Sequence, residues 1–220
     1  MEHFDIDLQR KWEYENGFYL SCENGRLGKL LNQLEIYKQI LNLPGDVVEF
    51  GVFKGASLVR LMTFRYLLEN DFTRKVIGFD MFGKFPDNVK FEEDKKFVKT
   101  FETDGGWGIH EDRLHELLKN KGFQNYELVQ GDILETLPKY VENNPAQKIA
   151  LLHIDVDVYE PTMEILERLW DKVVQGGIVM LDDYSSRYGE TVAVDEFFKD
   201  KNVSIQKPPF NFIPAYIVKG

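Results

Sequence analysis

Cysteine is almost absent from this sequence, because Cys22 is the only one among 220 residues. A disulfide framework and a metal site built from several thiolates are therefore excluded. The sequence also lacks a hydrophobic N-terminal segment of the kind that directs secretion or membrane insertion. We therefore expect a cytoplasmic protein that has no membrane partner.

Basic residues are in deficit, since 27 Lys and Arg stand against 37 Asp and Glu and the formal net charge is -10. Nucleic acids and anionic membranes select for clustered Lys and Arg, so we expect neither as a partner. The 43% of hydrophobic residues is sufficient for a real core. The composition favours one domain that binds a small ligand, neutral or positively charged.

Two phosphate-binding signatures are also missing, the G-x-G-x-x-G fingerprint and a lysine-bearing P-loop. Instead, a predicted strand over residues 46–50 runs into E-x-G-x-x-x-G from Glu49, followed by a helical pattern over 58–68. Gly51 and Gly55 would let the backbone approach a ligand closely. A turn opened by an acid favours a ligand without a pyrophosphate, and a plain tight turn is the alternative interpretation.

Acidic residues follow the second and third predicted strands, over residues 75–79 and 126–130. An acid in the position of Asp80 hydrogen-bonds a ribose diol in nucleotide-binding α/β folds, because a carboxylate accepts from both hydroxyls. A solvated strand-end acid is the alternative. After the third strand, Asp132 is either a ligand contact or part of a helix start in which Thr136 is the N-cap.

Four further carboxylates follow two apolar runs. Residues 149–152 lead into HIDVD, which supplies Asp155 and Asp157, and residues 177–181 lead into Asp182 and Asp183. Parallel strands joined by one helix usually lie side by side, so these carboxylates are expected to converge at the carboxyl edge of the sheet. Oxygen ligands of this kind suit Mg²⁺ or Mn²⁺, and the pattern predicts a metal site.

The rest of the pattern divides the chain into two parts. Residues 1–45 are predicted to be an N-terminal helical segment packed on the core, and residues 46–220 the α/β domain. An insertion at about 83–124 has the composition of a lid. Residues 203–206 and 213–219 are predicted to close the sheet as two strands. The N-terminal segment includes a predicted helix over 26–41, in which apolar residues recur at helical spacing: Leu27, Leu30, Leu31, Leu34, Tyr37, Ile40 and Leu41.

Five sequence blocks, in this order and spacing, resemble one known family: VVEFGVFKGAS, VIGFDMFGKFP, GDILETLP, LLHIDVDVYEPT and GGIVMLDDY. They are similar to the TylF/MycF-type sugar O-methyltransferases, the macrocin O-methyltransferase family. The resemblance implies dependence on S-adenosylmethionine and a divalent metal. It also implies a class I methyltransferase fold, a Rossmann-like doubly wound α/β sheet that is mostly parallel with an antiparallel last strand.

The resemblance assigns roles to individual residues. The methionine part of the cofactor would be held by Glu49, Gly51, Gly55 and Ser57, the ribose by Asp80, and the adenine by Asp132 and Ile133. The metal would be bound by Asp155, Asp182 and Asp183. In this arrangement Asp155 stands where cofactor, metal and catalytic groups meet.

The expected chemistry is attack of a metal-activated sugar hydroxyl on the methyl group of the cofactor. Asp157 is the candidate base, because alternate strand residues share a face and Asp157 would lie near Asp155. His153 shares that face and is a second candidate. A histidine deeper in an apolar strand is more often a hydrogen-bonded core residue, so Asp157 is preferred.

The acceptor is predicted to be a sugar that is nucleotide-linked, free, part of a polysaccharide or part of a natural product, and a large macrolide is not favoured. Two rival functions stay open: a catechol-type O-methyltransferase acting on a small phenol, and a metal-dependent hydrolase or nucleotide-sugar-binding module without methyl transfer. A homo-oligomer is also expected. The aromatic residues considered for stacking on a sugar are Phe82, Phe85, Trp107 and Tyr184.

Overall fold

The computed structural model describes residues 6–86 and 89–220. Residues 1–5 of the predicted N-terminal segment and residues 87 and 88 of the predicted insertion lie outside the described residues. The strands are β1 (Asp46–Phe50), β2 (Val76–Asp80), β3 (Tyr126–Gln130), β4 (Ile149–Ile154), β5 (Val173–Leu181), β6 (Ile205–Gln206) and β7 (Ala215–Val218). The α-helices are α1 (Lys11–Ser21), α2 (Asn24–Lys38), α3 (Ala56–Leu68), α4 (Glu92–Gly105), α5 (Glu111–Asn120), α6 (Ile133–Asn143), α7 (Tyr159–Leu169) and α8 (Tyr188–Phe198).

The strands form one seven-stranded sheet in the order β3-β2-β1-β4-β5-β7-β6. The pairs among β1 to β5 are parallel, whereas β7 runs antiparallel to both β5 and β6. The predicted fold class, a mostly parallel doubly wound α/β sheet with an antiparallel last strand, is confirmed. The two predicted closing strands pair with each other, as expected.

Helices cover both faces of the sheet because successive strand residues point to opposite sides. On one face, Val47 and Leu151 pack in a core cluster with residues of α2, α3 and α5. On the other face, Val48 and Leu152 pack with residues of α6, α7 and α8. The strands at the centre are therefore buried on both sides, which explains their continuous apolar runs.

The buried face of α2 differs from the predicted one. Leu31 is exposed, whereas Lys29, Asn32 and Gln33 are buried together with Ile36 and Tyr37. The hydrophobic pattern is confirmed for Tyr37 and Ile40 and wrong for Leu31. The pattern could not show the buried polar residues, which are accommodated by hydrogen bonds. The Asn32 amide donates to the carbonyls of residues 211 and 213 and accepts from the Phe210 N–H.

The predicted insertion contains two helices with different roles. Helix α5 buries Leu114 and Leu118 in the main core, so this half of the expected lid is part of the fold itself. Helix α4 is held over the sheet by Asp94, whose carboxylate accepts from the N–H groups of Tyr159 and Gly189 at 3.1 Å each. Asp94 thereby joins α4 to the first turns of α7 and α8.

Arg65 is the largest fully buried side chain and ties three loops together. Its guanidinium donates to the carbonyls of Arg74 and Asn125 at 2.8 Å and forms an ion pair with Asp71 at 2.6 Å. These contacts join the end of α3 to the starts of β2 and β3. A buried cation with this many partners is costly to remove, because the partners lose their donor.

We therefore expect Arg65→Met to lower the free energy of unfolding by about 3 to 5 kcal/mol, measured by urea denaturation. Arg168→Met is the matched control, because Arg168 is also a helical arginine paired with an acid, Glu164, but is partly exposed. It should cost less than about 1 kcal/mol. Equal losses for the two variants would contradict a structural role for Arg65.

Candidate active site

A cleft of about 450 Å³ opens at the carboxyl ends of the parallel strands. This is the position at which open α/β sheets bind ligands. Gly51 and the first turn of α3 form one side of the cleft, and the strand-end acids form its floor. The predicted site residues that line it are Gly51, Ser57, Asp80, Asp132, Ile133, Asp155, Asp157, Asp182 and Asp183.

The glycine turn after β1 is shaped by close backbone packing. Gly51 has φ +88°, and a Cβ there would lie 1.6 Å from the carbonyl oxygen of Asp155. Any other residue would push β1 and β4 apart. Gly55, also at positive φ, precedes α3 and packs against Leu114, so it shapes the turn and does not line the cleft.

Glu49 lies beneath the cleft and is fully buried, so the structure does not bring it to the cleft wall. Its Oε1 is 3.2 Å from His153 Nδ1 on the neighbouring strand. Its Oε2 has no hydrogen-bond partner among the described residues. Glu49 therefore adds negative charge under the glycine turn without direct contact to the cleft.

Two acids at the other end of the cleft hold its loops. Asp80 accepts from the Phe53 N–H at 2.8 Å and from the Phe82 N–H at 2.6 Å, which joins the glycine turn to the loop after β2. Burial raises the pKa of Asp80. Asp132 is the N-cap of α6 and accepts from the Leu134 N–H. The prediction of Thr136 as the N-cap is wrong, because Thr136 lies inside α6 and its hydroxyl donates to the Asp132 carbonyl.

A row of alternating charges runs from α2 into the sheet. The Lys29 ammonium donates to Asp182 Oδ2, and His153 Nε2 lies 3.3 Å from Asp182 Oδ1. His153 Nδ1 in turn faces Glu49. Both ring nitrogens of His153 are therefore bonded, as expected for a core histidine. The order of charges is Lys29, Asp182, His153, Glu49.

The pKa values along this row follow from these contacts. Burial opposes the charged form of His153, but its hydrogen bonds to Asp182 and Glu49 outweigh burial and raise its pKa to about 10. Burial alone would raise the pKa of Asp182, yet His153 and Lys29 hold that pKa below the usual range. His153 is thus a cation at neutral pH and Asp182 an anion.

The strand ends bring together two sets of potential metal ligands. Within each set, the possible ligand atoms lie within 4.8 Å of one another. One set is His153, Asp155 and Asp182, and the other is Asp155, Asp157 and Asp183. Asp155 belongs to both. The predicted ligands Asp182 and Asp183 fall into different sets, because Asp182 is turned towards Lys29 and His153.

Asp157 stands at the turn after β4 with φ +63°, and its side chain lines the cleft. Burial and the neighbouring Asp183 raise its pKa well above the usual range. Arg187 Nε lies 3.4 Å from Asp157 Oδ1, and the same guanidinium lies over the Phe97 ring of α4 at 4.4 Å. Arg187 therefore connects the acids to the helix that covers them.

Two further acids add to this cluster. Glu190 is fully buried and accepts from the Asp183 N–H at 2.9 Å, while its Oε2 has no hydrogen-bond partner among the described residues. Glu160 lines the cleft, and neither of its buried oxygens has such a partner. The cluster thus contains more carboxyl groups than cationic groups, and burial raises the pKa values of Asp155 and Glu190 well above the usual range. Its acids are Glu49, Asp155, Asp157, Glu160, Asp182, Asp183 and Glu190, and its cations are Lys29, His153 and Arg187.

Sequence reasoning missed Lys29, Glu160, Arg187 and Glu190 as parts of this site. For Lys29 a signal exists, because Lys29, Asn32 and Gln33 follow the same helical stripe as Ile36 and Ile40. For the others, only the fold shows which loop residues turn inwards. Of the aromatic candidates, Phe85 lines the cleft, whereas Phe82, Trp107 and Tyr184 do not.

Comparison with known proteins gives matches of both sequence and structure. Demethyldecarbamoylnovobiocin O-methyltransferase of Streptomyces niveus is 30% identical over 162 residues, which is 71% of this chain and 59% of that protein. The structure of CalS11, a calicheamicin methyltransferase, superposes with a TM-score of 0.74 at 26% identity over 97% of this chain and 87% of its own. An apo structure of CalS11, described as a TDP-rhamnose 3'-O-methyltransferase, gives 0.69 at 27% identity over 97% and 88%.

The chain spans only 54% to 59% of the length of the curated relatives that it matches. The family profile described as macrocin-O-methyltransferase (TylF) nevertheless matches residues 23–213. That range begins one residue before α2, ends two residues before β7 and includes the cleft. The resemblance inferred from the five sequence blocks is confirmed, and the chain belongs to the macrocin-O-methyltransferase (TylF) family.

Proposed function

We propose that this chain is an S-adenosylmethionine-dependent O-methyltransferase that acts on a sugar hydroxyl. The observation that carries the proposal is that one cleft combines a glycine turn without a phosphate-binding signature and a cluster with more carboxyl groups than cations. A sulfonium cofactor fits this combination, because its reactive centre is positively charged and it has no phosphate. Two relatives support the choice of a sugar. CalS11 is described as a TDP-rhamnose 3'-O-methyltransferase, and a protein of Streptomyces olivaceus that is 28% identical to this chain is described as a 4'-O-methyltransferase of a rhamnosyl-tetracenomycin.

For the cofactor, we propose that Gly51 and Ser57 hold the methionine part, Asp80 the ribose, and Asp132 with Ile133 the adenine. All five line the cleft in this order along the edge of the sheet. Glu49, from beneath, and Gly55, through the turn, would act indirectly. When bound, the cofactor supplies an electrophilic methyl group, and these residues fix its position relative to the acids.

For the metal, we propose that Asp155, Asp182 and Asp183 bind Mg²⁺ or Mn²⁺. The donor set fits, because these cations prefer carboxylate oxygens and the cluster has orphaned buried oxygens on Glu49, Glu160 and Glu190. Lys29 and His153 would then hydrogen-bond Asp182 from behind, as partners of metal-bound carboxylates commonly do. The ion would lower the proton affinity of a sugar hydroxyl. Binding to all three acids requires Asp182 or Asp183 to rotate.

For the base, we propose Asp157. It lines the cleft beside Asp155 and Asp183 and is held by Arg187, so a hydroxyl near the acids would be within its reach. Its carboxylate would accept the hydroxyl proton as the oxygen attacks the methyl group. His153 is a poor alternative, because both of its nitrogens are bonded below the cleft floor.

We also propose that the protein forms a homo-oligomer and is cytoplasmic. In α1, Trp12, Tyr19 and Leu20 are 67%, 61% and 87% exposed, which favours self-association. The molar mass in solution, from light scattering, would test it. Among the described residues, no helix has both the length and the apolar composition needed to span a bilayer.

The activity itself is tested by calorimetry and a methyl-transfer screen. We expect S-adenosylmethionine to bind the purified protein and its methyl group to appear on a nucleotide sugar. Catechols are screened in parallel, because methylation of catechols alone would transfer the assignment to the phenol-directed class. Absence of cofactor binding at millimolar concentration would contradict any methyltransferase.

The ligand set is tested by Mn²⁺ titration calorimetry. The single variant Lys29→Met is compared with the double variant Lys29→Met/Asp182→Asn. The double variant removes both members of the buried ion pair, so that neither charge of the pair is left alone. We expect the double variant to bind Mn²⁺ about tenfold more weakly than the single one, a loss of about 1.4 kcal/mol, and Asp157→Asn to bind like the wild type. The reverse pattern would assign the ion to Asp155, Asp157 and Asp183.

The base is tested by turnover. We expect Asp157→Asn to lose about 10²- to 10⁴-fold in kcat, the usual contribution of general base catalysis, while the Kd for S-adenosylhomocysteine stays unchanged. Asp195→Asn is the control, because Asp195 hydrogen-bonds Tyr184 outside the cleft and should keep full activity. An Asp157→Asn enzyme with wild-type kcat would remove Asp157 as the base.

A further inference from the structure

Three cations line the cleft from the side of the N-terminal segment. Arg26 and Lys29 lie one turn apart on α2, and Arg60 lies on the neighbouring helix α3. Lys29 is balanced by its ion pair with Asp182. Arg26 and Arg60 form no ion pair of this kind, because neither has a carboxylate of the described residues within ion-pair distance.

Arg60 is half-buried, and its recorded hydrogen bond is to a neutral group, Gln33 Oε1 at 3.2 Å. Burial and the proximity of Arg26 lower the pKa of the Arg60 guanidinium. Two neighbouring guanidinium groups repel each other unless an anion lies between or beside them. In a chain of net charge -10, an arginine pair without an acidic partner requires a specific reason.

A buried glutamine, Gln33, lies behind Arg60. The residue is fully buried, and its Nε2 has no hydrogen-bond partner among the described residues. Because Oε1 faces Arg60, the unpartnered group is a donor. This wall of the cleft therefore carries the guanidinium groups of Arg26 and Arg60, with the unpartnered N–H donor of Gln33 behind Arg60. The acids Asp182, Glu49 and Asp155 act on Arg60 only from beyond ion-pair distance.

The position of Arg60 identifies the anion. Arg60 follows Ser57 by three residues on α3, so the two side chains lie on the same face of the helix. Ser57 and Gly51 are the residues proposed for the methionine part of the cofactor. That part carries an α-carboxylate, the only anionic group of S-adenosylmethionine, and an arginine pairs with a carboxylate through two parallel hydrogen bonds.

We propose that Arg26 and Arg60, with Gln33 behind Arg60, form the subsite for the α-carboxylate of the methionine part of S-adenosylmethionine. The inference rests on the proposed function. It adds α2 to the cofactor site, so that the N-terminal segment supplies Lys29 to the acids and Arg26 to the cofactor. A phosphate of a nucleotide-linked acceptor is the other source of an anion, and the test separates the two.

The test uses three probes in titration calorimetry with the full chain. S-adenosylhomocysteine carries the carboxylate, 5'-methylthioadenosine has the same adenosyl group without the amino-acid end, and dTDP carries phosphates only. Arg60→Gln is expected to weaken the binding of S-adenosylhomocysteine about ten- to a hundredfold, which corresponds to the loss of a hydrogen bond to a charged group. Arg26→Gln should weaken it less, since Arg26 is exposed. Arg168→Gln, outside the cleft, should have no effect.

The methylthioadenosine titration also serves as the control for folding. Unchanged binding of this probe to Arg60→Gln, together with the loss for S-adenosylhomocysteine, supports the carboxylate subsite. An equal loss for both probes, or no loss for either, overturns it. A loss for dTDP alone also overturns it and assigns the arginines to an acceptor phosphate. A wild-type chain that binds neither adenosyl compound contradicts the proposed function itself.

Discussion

Burial of negative charge at the carboxyl ends of β1, β4 and β5 is the constraint on which the rest of the site depends. Parallel pairing places Glu49 beside His153 in register, and the next strand brings Asp182 to the same edge. Carboxylates this close and this deeply buried are stable only if cations lie among them. His153 supplies one such charge from within the sheet, between Glu49 and Asp182.

The second balancing charge comes from outside the sheet, and it determines how the N-terminal segment packs. Helix α2 turns its polar stripe inwards, so that Lys29 reaches Asp182 and Asn32 fixes the loop before β7. The same helix buries Ile36 and Tyr37 and leaves Leu31 exposed. Its buried face thus combines apolar packing with polar partners for the cleft and for the loop before β7.

The cleft consequently carries groups of both charges. Acids surround Asp155, and the cations Arg26 and Arg60 line the wall that α2 and α3 form. A cofactor that combines a sulfonium centre with a carboxylate suits such a cleft. Helix α4 covers the acid cluster, where Asp94 fixes it to the N-termini of α7 and α8 and Arg187 contacts Phe97. Exclusion of water there would strengthen each charge interaction.

The sequence by itself determined the fold class, the strands β1 and β3, and the acids at the strand ends, because periodicity, glycine turns and strand-end carboxylates are local signals. It also determined the family, through the order of five blocks. Only the tertiary structure decided which face of α2 is buried, that Glu49 lies beneath the cleft, and that Asp182 is bound by Lys29 across 153 residues of sequence. The physical reason is that a buried charge selects its partner by proximity in space, and no periodicity along the chain records which distant helix will supply it.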